Sequence, residues 1–237
     1  MKKTCFLRII YLSLFIAALQ SCNSNGNGCR PLMDSLLNNR DMLPAEKEAL
    51  LIASCGRGEV IRKDSLNLVI KTAQGKEVAL QSKIDETQTI IYTFAGYYEE
   101  GGLYVVRKSG WEWENYLLIE RENGERYEVT NMPLIFSPDK KSFASFSSDQ
   151  ATLMDANRFE IWENRGNSWK LTLALNTADK MFPEKSWGPA NATWISNEEI
   201  DILREVGVNG YGTDSGTKED GIEKYMKVNG SWVRKTK

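Results

Sequence analysis

The residues best equipped for chemistry lie between positions 97 and 116. Tyr97 and Tyr98 precede the acidic pair Glu99 and Glu100 and the glycines Gly101 and Gly102, and Trp111-Glu112-Trp113-Glu114 follows shortly after. Flat indole and phenol faces beside carboxylates suit a saccharide or a peptide, offering rigid apolar contact and acceptors for hydroxyl or amide hydrogens. Tyr97, Tyr98, Glu99, Glu100, Trp111 and Trp113 are therefore the candidate ligand-binding residues. A plainer account carries more weight: strand alternation would bury Trp111 and Trp113 and leave Glu112 and Glu114 in water. The catalytic alternative is a carboxylate-based glycan hydrolase using Glu99, Glu100, Glu112 and Glu114, which requires two carboxyls converging from different elements.

Other chemistry is mostly excluded. The chain has no histidine, which removes the commonest general base and zinc ligand and every Ser-His or Cys-His pair. Ser137 and Lys140 fit a Ser-x-x-Lys spacing, but Pro138-Asp139 between them calls for a β-turn where that chemistry needs a helical turn. Asp214-Ser215-Gly216 is a lone copy of a triplet that works only as a pair of carboxylates. The loop expected to continue it through Lys218, Glu219, Asp220 and Gly221 lacks the alternating acids of a calcium loop. No catalytic residue and no metal ligand is assigned, and the residues favour binding over catalysis.

The start of the chain reads as an address. Lys2, Lys3 and Arg8 precede an apolar run over Ile9 to Leu19, too short for the roughly 20 residues of a membrane-spanning helix and suited to a cleaved export signal. Leu19-Gln20-Ser21-Cys22 follows, and it resembles the lipobox of bacterial lipoproteins. That resemblance implies that Cys22 receives a diacylglyceryl group, becomes the first residue, and fixes the protein to a membrane, each buried CH₂ contributing ~0.8 kcal/mol. Asn23 lacks the acid that retains some lipoproteins at the inner membrane, which implies the outer membrane, facing the periplasm, with surface exposure left open. Losing Lys2, Lys3 and Arg8 takes the net charge from −2 to −5. A surface of that sign does not attract nucleic acid or anionic lipid. The covalent lipid stands in place of any cofactor.

Cys5 leaves with the signal and Cys22 takes lipid, so Cys29 and Cys55 remain to form a disulfide in an oxidising compartment. Between them, Pro31 and Pro44 open two helical stretches, the first with Leu32, Met33, Leu36 and Leu37 on neighbouring faces, the second with Ala45, Ala49 and Ile52 along one side. Two short helices pinned by a bridge make a cap.

From about residue 59 the pattern is β. Trp169, Leu171, Leu173 and Leu175 alternate with Lys170, Thr172 and Ala174, and Ile200 and Ile202 alternate with Glu199 and Asp201. Hairpin turns are expected at Gln74-Gly75, Asn123-Gly124, Gly166-Asn167 and Asn229-Gly230. The hairpins repeat: Glu160 to Trp169 and Glu223 to Trp232 share Glu, an aromatic and Ser-Trp over the same span, and Tyr116 to Tyr127 and Leu66 to Leu80 are looser copies. A strand pair precedes three of them, at Thr89 to Tyr98 with Leu103 to Lys108, Pro133 to Ser137 with Ser142 to Ser147, and Ala192 to Ser196 with Glu199 to Val206. Four strands per unit is the order of a propeller blade. Phe136-Ser137-Pro138-Asp139-Lys140 resembles the turn between inner strands of WD-repeat and TolB-like β-propellers, with Lys140 where that family has glycine, and Thr193 to Ile200 is a degraded second copy.

The sequence thus predicts a signal peptide over 1–21, a flexible tether over 22–28, a helical cap over 29–57 and an all-β repeat domain over 58–237. That body would be a partial or small β-propeller, with a β-sandwich as the alternative. The expected role is a membrane-anchored envelope lipoprotein that binds or assembles a protein or glycan without catalysis. A glycan hydrolase and a structural accessory of an envelope complex are the alternatives.

Overall fold

The computed structural model describes residues 28–39, 41–149, 157–166, 168–178, 186–208 and 216–235. The signal peptide, Cys22 and the tether up to residue 27 lie outside the described residues, as do Asn167, Asp214 and Ser215.

Two helices open the described chain, α1 over Cys29–Asn38 and α2 over Pro44–Cys55. Proline at the first position of α2 supplies a preset φ where no amide donor is needed, and the Glu46 carboxylate accepts the Leu43 N–H at 3.1 Å. Cys29 and Cys55 are joined by a disulfide, so the two helices close into the expected cap. Met33 and Leu36 of α1 and Leu51 and Cys55 of α2 enter the core. The side of α2 carrying Ala45, Ala49 and Ile52 lines an open groove of about 680 Å³ instead. No helix among the described residues is long and apolar enough to cross a membrane.

The rest is four antiparallel sheets laid down in chain order. The first holds β1 (Val60–Arg62), β2 (Asn67–Lys71) and β3 (Glu77–Gln81). The second holds β4 (Lys83–Ile84), β5 (Thr89–Tyr98), β6 (Leu103–Ser109), β7 (Glu114–Glu120) and β8 (Arg126–Val129). The third holds β9 (Ile135–Phe136), β10 (Ser142–Ser147), β11 (Arg158–Asn164) and β12 (Trp169–Asn176). The fourth holds β13 (Gly188–Ser196), β14 (Glu199–Gly207), β15 (Thr217–Val228) and β16 (Ser231–Arg234). All four expected hairpins are present, as β2–β3, β7–β8, β11–β12 and β15–β16, and the three preceding pairs are β5–β6, β9–β10 and β13–β14. Lys218 to Gly221, expected in a loop, belong to β15 and pair with the end of β14. β12 departs from clean alternation: Leu171 is exposed, and the register shift between Ile161 and Trp162 leaves Thr172 as an extra, unpaired residue on β12 itself.

The copies superimpose in role as well as in pattern. Glu160 and Glu223 are both buried on the third strand of their sheets, and Trp169 and Trp232 are both buried at the hairpin's return. The Ser137 to Lys140 segment is the β-turn that Pro138 calls for: Lys140 N–H donates to the Ser137 carbonyl at 3.0 Å, and Asp139 accepts the Ser137 hydroxyl at 2.7 Å and the Lys141 N–H at 3.0 Å. Burial opposes the Asp139 charge, but these two donors outweigh it and hold the carboxyl below its usual range. The Asp139 N–H reaches Asn197 Oδ1 at 3.0 Å, tying this turn to its counterpart between β13 and β14. Lys140 sits at φ 62, a left-handed conformation that costs a side-chain-bearing residue ~1 kcal/mol or more. Lys140→Gly is expected to raise the thermal midpoint by about 2–4 °C; an unchanged or lower midpoint in a calorimetric scan would count against that account.

Packing also follows chain order. One core joins the cap, the first two sheets and the near side of the third, with Phe94, Tyr98, Tyr104, Leu118, Phe136, Phe143 and Trp169 at its heart. A second, smaller core joins the third and fourth sheets through Ala144, Phe159, Ile161, Ile200, Ile202, Tyr225 and Trp232. Charged ties cross two of the seams. Glu59 binds Arg121 Nε at 2.8 Å and the Tyr104 hydroxyl between the first and second sheets, and Glu163 binds Trp232 Nε1 and Lys227 Nζ, each at 2.9 Å, between the third and fourth.

Candidate functional site

The six residues singled out by sequence do not form one site. Tyr97 and Tyr98 end β5, and both are buried. Tyr97 packs on Tyr104 with ring centroids 4.8 Å apart and lies under the Arg57 guanidinium. Tyr98 packs on Phe136 and accepts the Leu134 N–H at 3.1 Å, and burial pushes its phenol up to about 12. These tyrosines hold the second sheet to its neighbours and are not a ligand platform. Glu99 and Glu100 are exposed in the turn that follows, with Arg57 3.9 Å from Glu99.

Trp111 and Trp113 sit in the next turn, at the other end of β6. Seven strand residues separate the two turns, about 20 Å. Glu99 and Glu100 therefore cannot meet Glu112 and Glu114, and the hydrolase built on those four carboxylates loses its geometry. The tryptophans are also not strand residues. The Gly110 N–H donates to the Trp113 carbonyl at 2.9 Å, closing a tight turn. The Trp113 indole folds back over Gly110, where a β-carbon would collide with the ring, and Lys108 Nζ lies 5.7 Å from its centre. Trp113 is 41% exposed and Trp111 88%. An indole that exposed gains nothing from the core.

At this end of the second sheet, a cleft of about 540 Å³ opens between it and the third. That volume falls in the range of small-molecule sites. β7 contributes Glu114, Asn115 and Tyr116, β8 and the chain after it Glu128, Val129, Thr130 and Asn131, β10 Ser147, and β11 Arg158 and Glu160. Register decides which side chains matter: Tyr116 stands opposite Val129 and Arg107, so Glu114, Tyr116, Arg107 and Val129 share the face toward the third sheet. Asn115 and Glu128 alternate onto the other face, where Lys108 Nζ holds Glu128 at 2.7 Å. On the near face Glu114 accepts the Tyr116 hydroxyl at 2.7 Å with Arg107 at 3.6 Å. Burial raises the Tyr116 phenol above its usual range, and Glu114 adds to that, so this hydroxyl remains a donor. Across the cleft, Glu160 accepts from Arg158 Nε at 2.7 Å and Trp162 Nε1 at 3.1 Å. The turn bearing Trp111 leads directly into Glu114.

Of this cleft, sequence reasoning reached only Glu114, with Trp111 three residues ahead of it in the turn. Asn131, Arg158 and Glu160 were missed. Glu160 did carry a signal, as the first residue of the best repeat.

No protein family model matches the sequence, and no curated protein matches it. Among solved structures, a putative 6-phosphogluconolactonase from Bacteroides fragilis is similar at 7% identity over 74% of this chain and 67% of that one, with a TM-score of 0.26. A likeness at that level carries neither topology nor activity across.

Proposed function

We propose that this protein is a lipid-anchored module of the cell envelope that binds a glycan or a protein at the cleft between its second and third sheets. Its four sheets would stand as the blades of a small or open propeller. The observation that carries the binding role is Trp111, an 88% exposed indole in the turn three residues ahead of Glu114, which lines a polar cleft. Large exposed aromatics next to convergent polar groups mark recognition surfaces. The acids facing the cleft argue for binding over catalysis: Glu114 is tied to Tyr116 and Arg107, and Glu160 to Arg158 and Trp162, so both serve as fixed acceptors.

Anchoring rests on the Cys22 lipobox, and the Cys29–Cys55 disulfide supports export to an oxidising compartment. Cys22→Ser is expected to abolish labelling by radioactive palmitate and to move the protein from the membrane pellet to the soluble fraction. If the variant stays in the pellet and wild type takes up no label, the anchor is wrong. The outer membrane, facing the periplasm, is the proposed location, and separating the two membranes on a density gradient tests it. For the binding role, a photo-crosslinking amino acid placed at position 111 should yield an adduct in envelope preparations or be protected by a soluble ligand. Neither result would leave the cleft without a role.

A further inference from the structure

The charges on the cleft walls cancel in pairs. On the second sheet Glu114 lies 3.6 Å from Arg107, and Glu128, on the reverse face, holds Lys108 at 2.7 Å. On the third sheet Arg158 holds Glu160 at 2.7 Å, with the Arg158 side chain 43% exposed and that of Glu160 3%. Balanced pairs leave little net field to draw in a strongly charged ligand. A phosphate or carboxylate would have to share Arg158 with Glu160, its buried counter-ion, and a cation would have to share Glu114 with Arg107. The lining is equally unsuited to a greasy molecule, since Val129 is its one aliphatic side chain.

What the walls offer is hydrogen bonding in both senses. Glu114, 43% exposed, presents acceptor oxygens, while the exposed part of Arg158 and the amide of Asn131 donate. A ligand matching this has many hydroxyls, no net charge, and an apolar face to lay on an indole. We infer that the occupant of the cleft is a neutral saccharide, bound by its hydroxyls to Glu114, Asn131 and Arg158 and stacked at one end on Trp111. This rests on the proposed binding role and narrows it from glycan or protein to uncharged glycan. Arg158, bound to Glu160 on its inner side, is free on its outer side to donate to a ring hydroxyl. Trp113, pinned over Gly110 and Lys108, frames the turn that carries Trp111.

The test is titration of the purified mature domain with maltohexaose, cellohexaose, xylohexaose and mannohexaose, and with hexagalacturonate as the acidic counterpart, followed by calorimetry and tryptophan fluorescence. At least one neutral hexasaccharide should bind with a Kd between about 10 μM and 1 mM. Trp111→Ala should weaken that binding about tenfold and remove most of the fluorescence change. Glu114→Gln, which keeps the side chain's size, should weaken it roughly three- to tenfold. Trp111 contacts solvent, so its variant should fold as wild type, and circular dichroism checks both. Tighter binding of hexagalacturonate than of any neutral sugar overturns the inference, as does silence from every hexasaccharide at about 10 mM. In either failure the crosslinker at position 111 separates the two levels. A protein adduct leaves the cleft a binding site with a different ligand, and no adduct with no sugar removes both.

Discussion

Replacing Cys29 and Cys55 together by serine is expected to lower the unfolding free energy by about 3–4 kcal/mol. The bridge spans a sequence separation of 26, and opening it returns that loop's freedom to the unfolded chain. Packing and one charged network also hold the cap. α1 enters the core through Met33 and Leu36, and Met33 lies where Gly96, at φ 138, leaves room in the bulge of β5. α2 is fixed by Glu48, which accepts the Phe94 N–H at that bulge and pairs with Arg62, itself bonded to the Tyr92 carbonyl at 2.7 Å. In a denaturant titration the serine variant should unfold at clearly lower concentration, and wild type in reductant should match it. A loss below about 1 kcal/mol would mean that Glu48 and Met33 hold the cap without the bridge.

The second large effect is expected at Glu163. Its side chain is 8% exposed and accepts from Trp232 Nε1 and Lys227 Nζ, with Arg165 at 3.5 Å. It is the charged tie between the third and fourth sheets. Glu163→Ala would leave a buried indole N–H and a half-buried ammonium without their acceptor, at a cost of about 2–4 kcal/mol. Acid should do the same thing more gently. Burial pushes the Glu163 carboxyl up, but the hydrogen bonds from Lys227 and Trp232 and the Lys227 charge outweigh it, so its folded pKa lies below the ordinary 4.5. The stability it contributes is therefore present above about pH 4.5 and is lost as pH falls through the lower folded value. Trp232 fluorescence should report the fourth sheet loosening in that window in wild type, and the window should vanish in Glu163→Ala. Equal acid sensitivity in both proteins would assign the effect to other carboxylates.

The strands were readable from sequence because their signals are local. Asn-Gly and Gly-Asn turns between apolar runs fix hairpins wherever they occur, and the repeat of Glu160 to Trp169 in Glu223 to Trp232 fixed the order of strands within a unit. The disulfide followed from there being two cysteines left to pair. The candidate site was less readable because closeness along a strand is not closeness in space. Tyr98 and Trp111 are thirteen positions apart, yet β6 carries them to opposite ends of a sheet. Alternation of Trp111 and Trp113 with glutamates looks the same in a strand and in a turn, and only the Gly110 to Trp113 hydrogen bond tells them apart. The cleft draws on residues 114 to 160 from four strands, and no local spacing announces such a meeting. The same holds for Glu59 with Arg121 and Glu163 with Trp232, whose partners are 62 and 69 positions away.

The sulfur bridge also decides where a mechanical load would go. Tension on the chain ahead of Cys29 passes at once through a covalent link to Cys55, at the far end of α2, and from there within a few residues into β1. The two helices lie off that line. A pull applied between the chain ahead of Cys29 and the sheets would load the sheet framework and leave the cap wound.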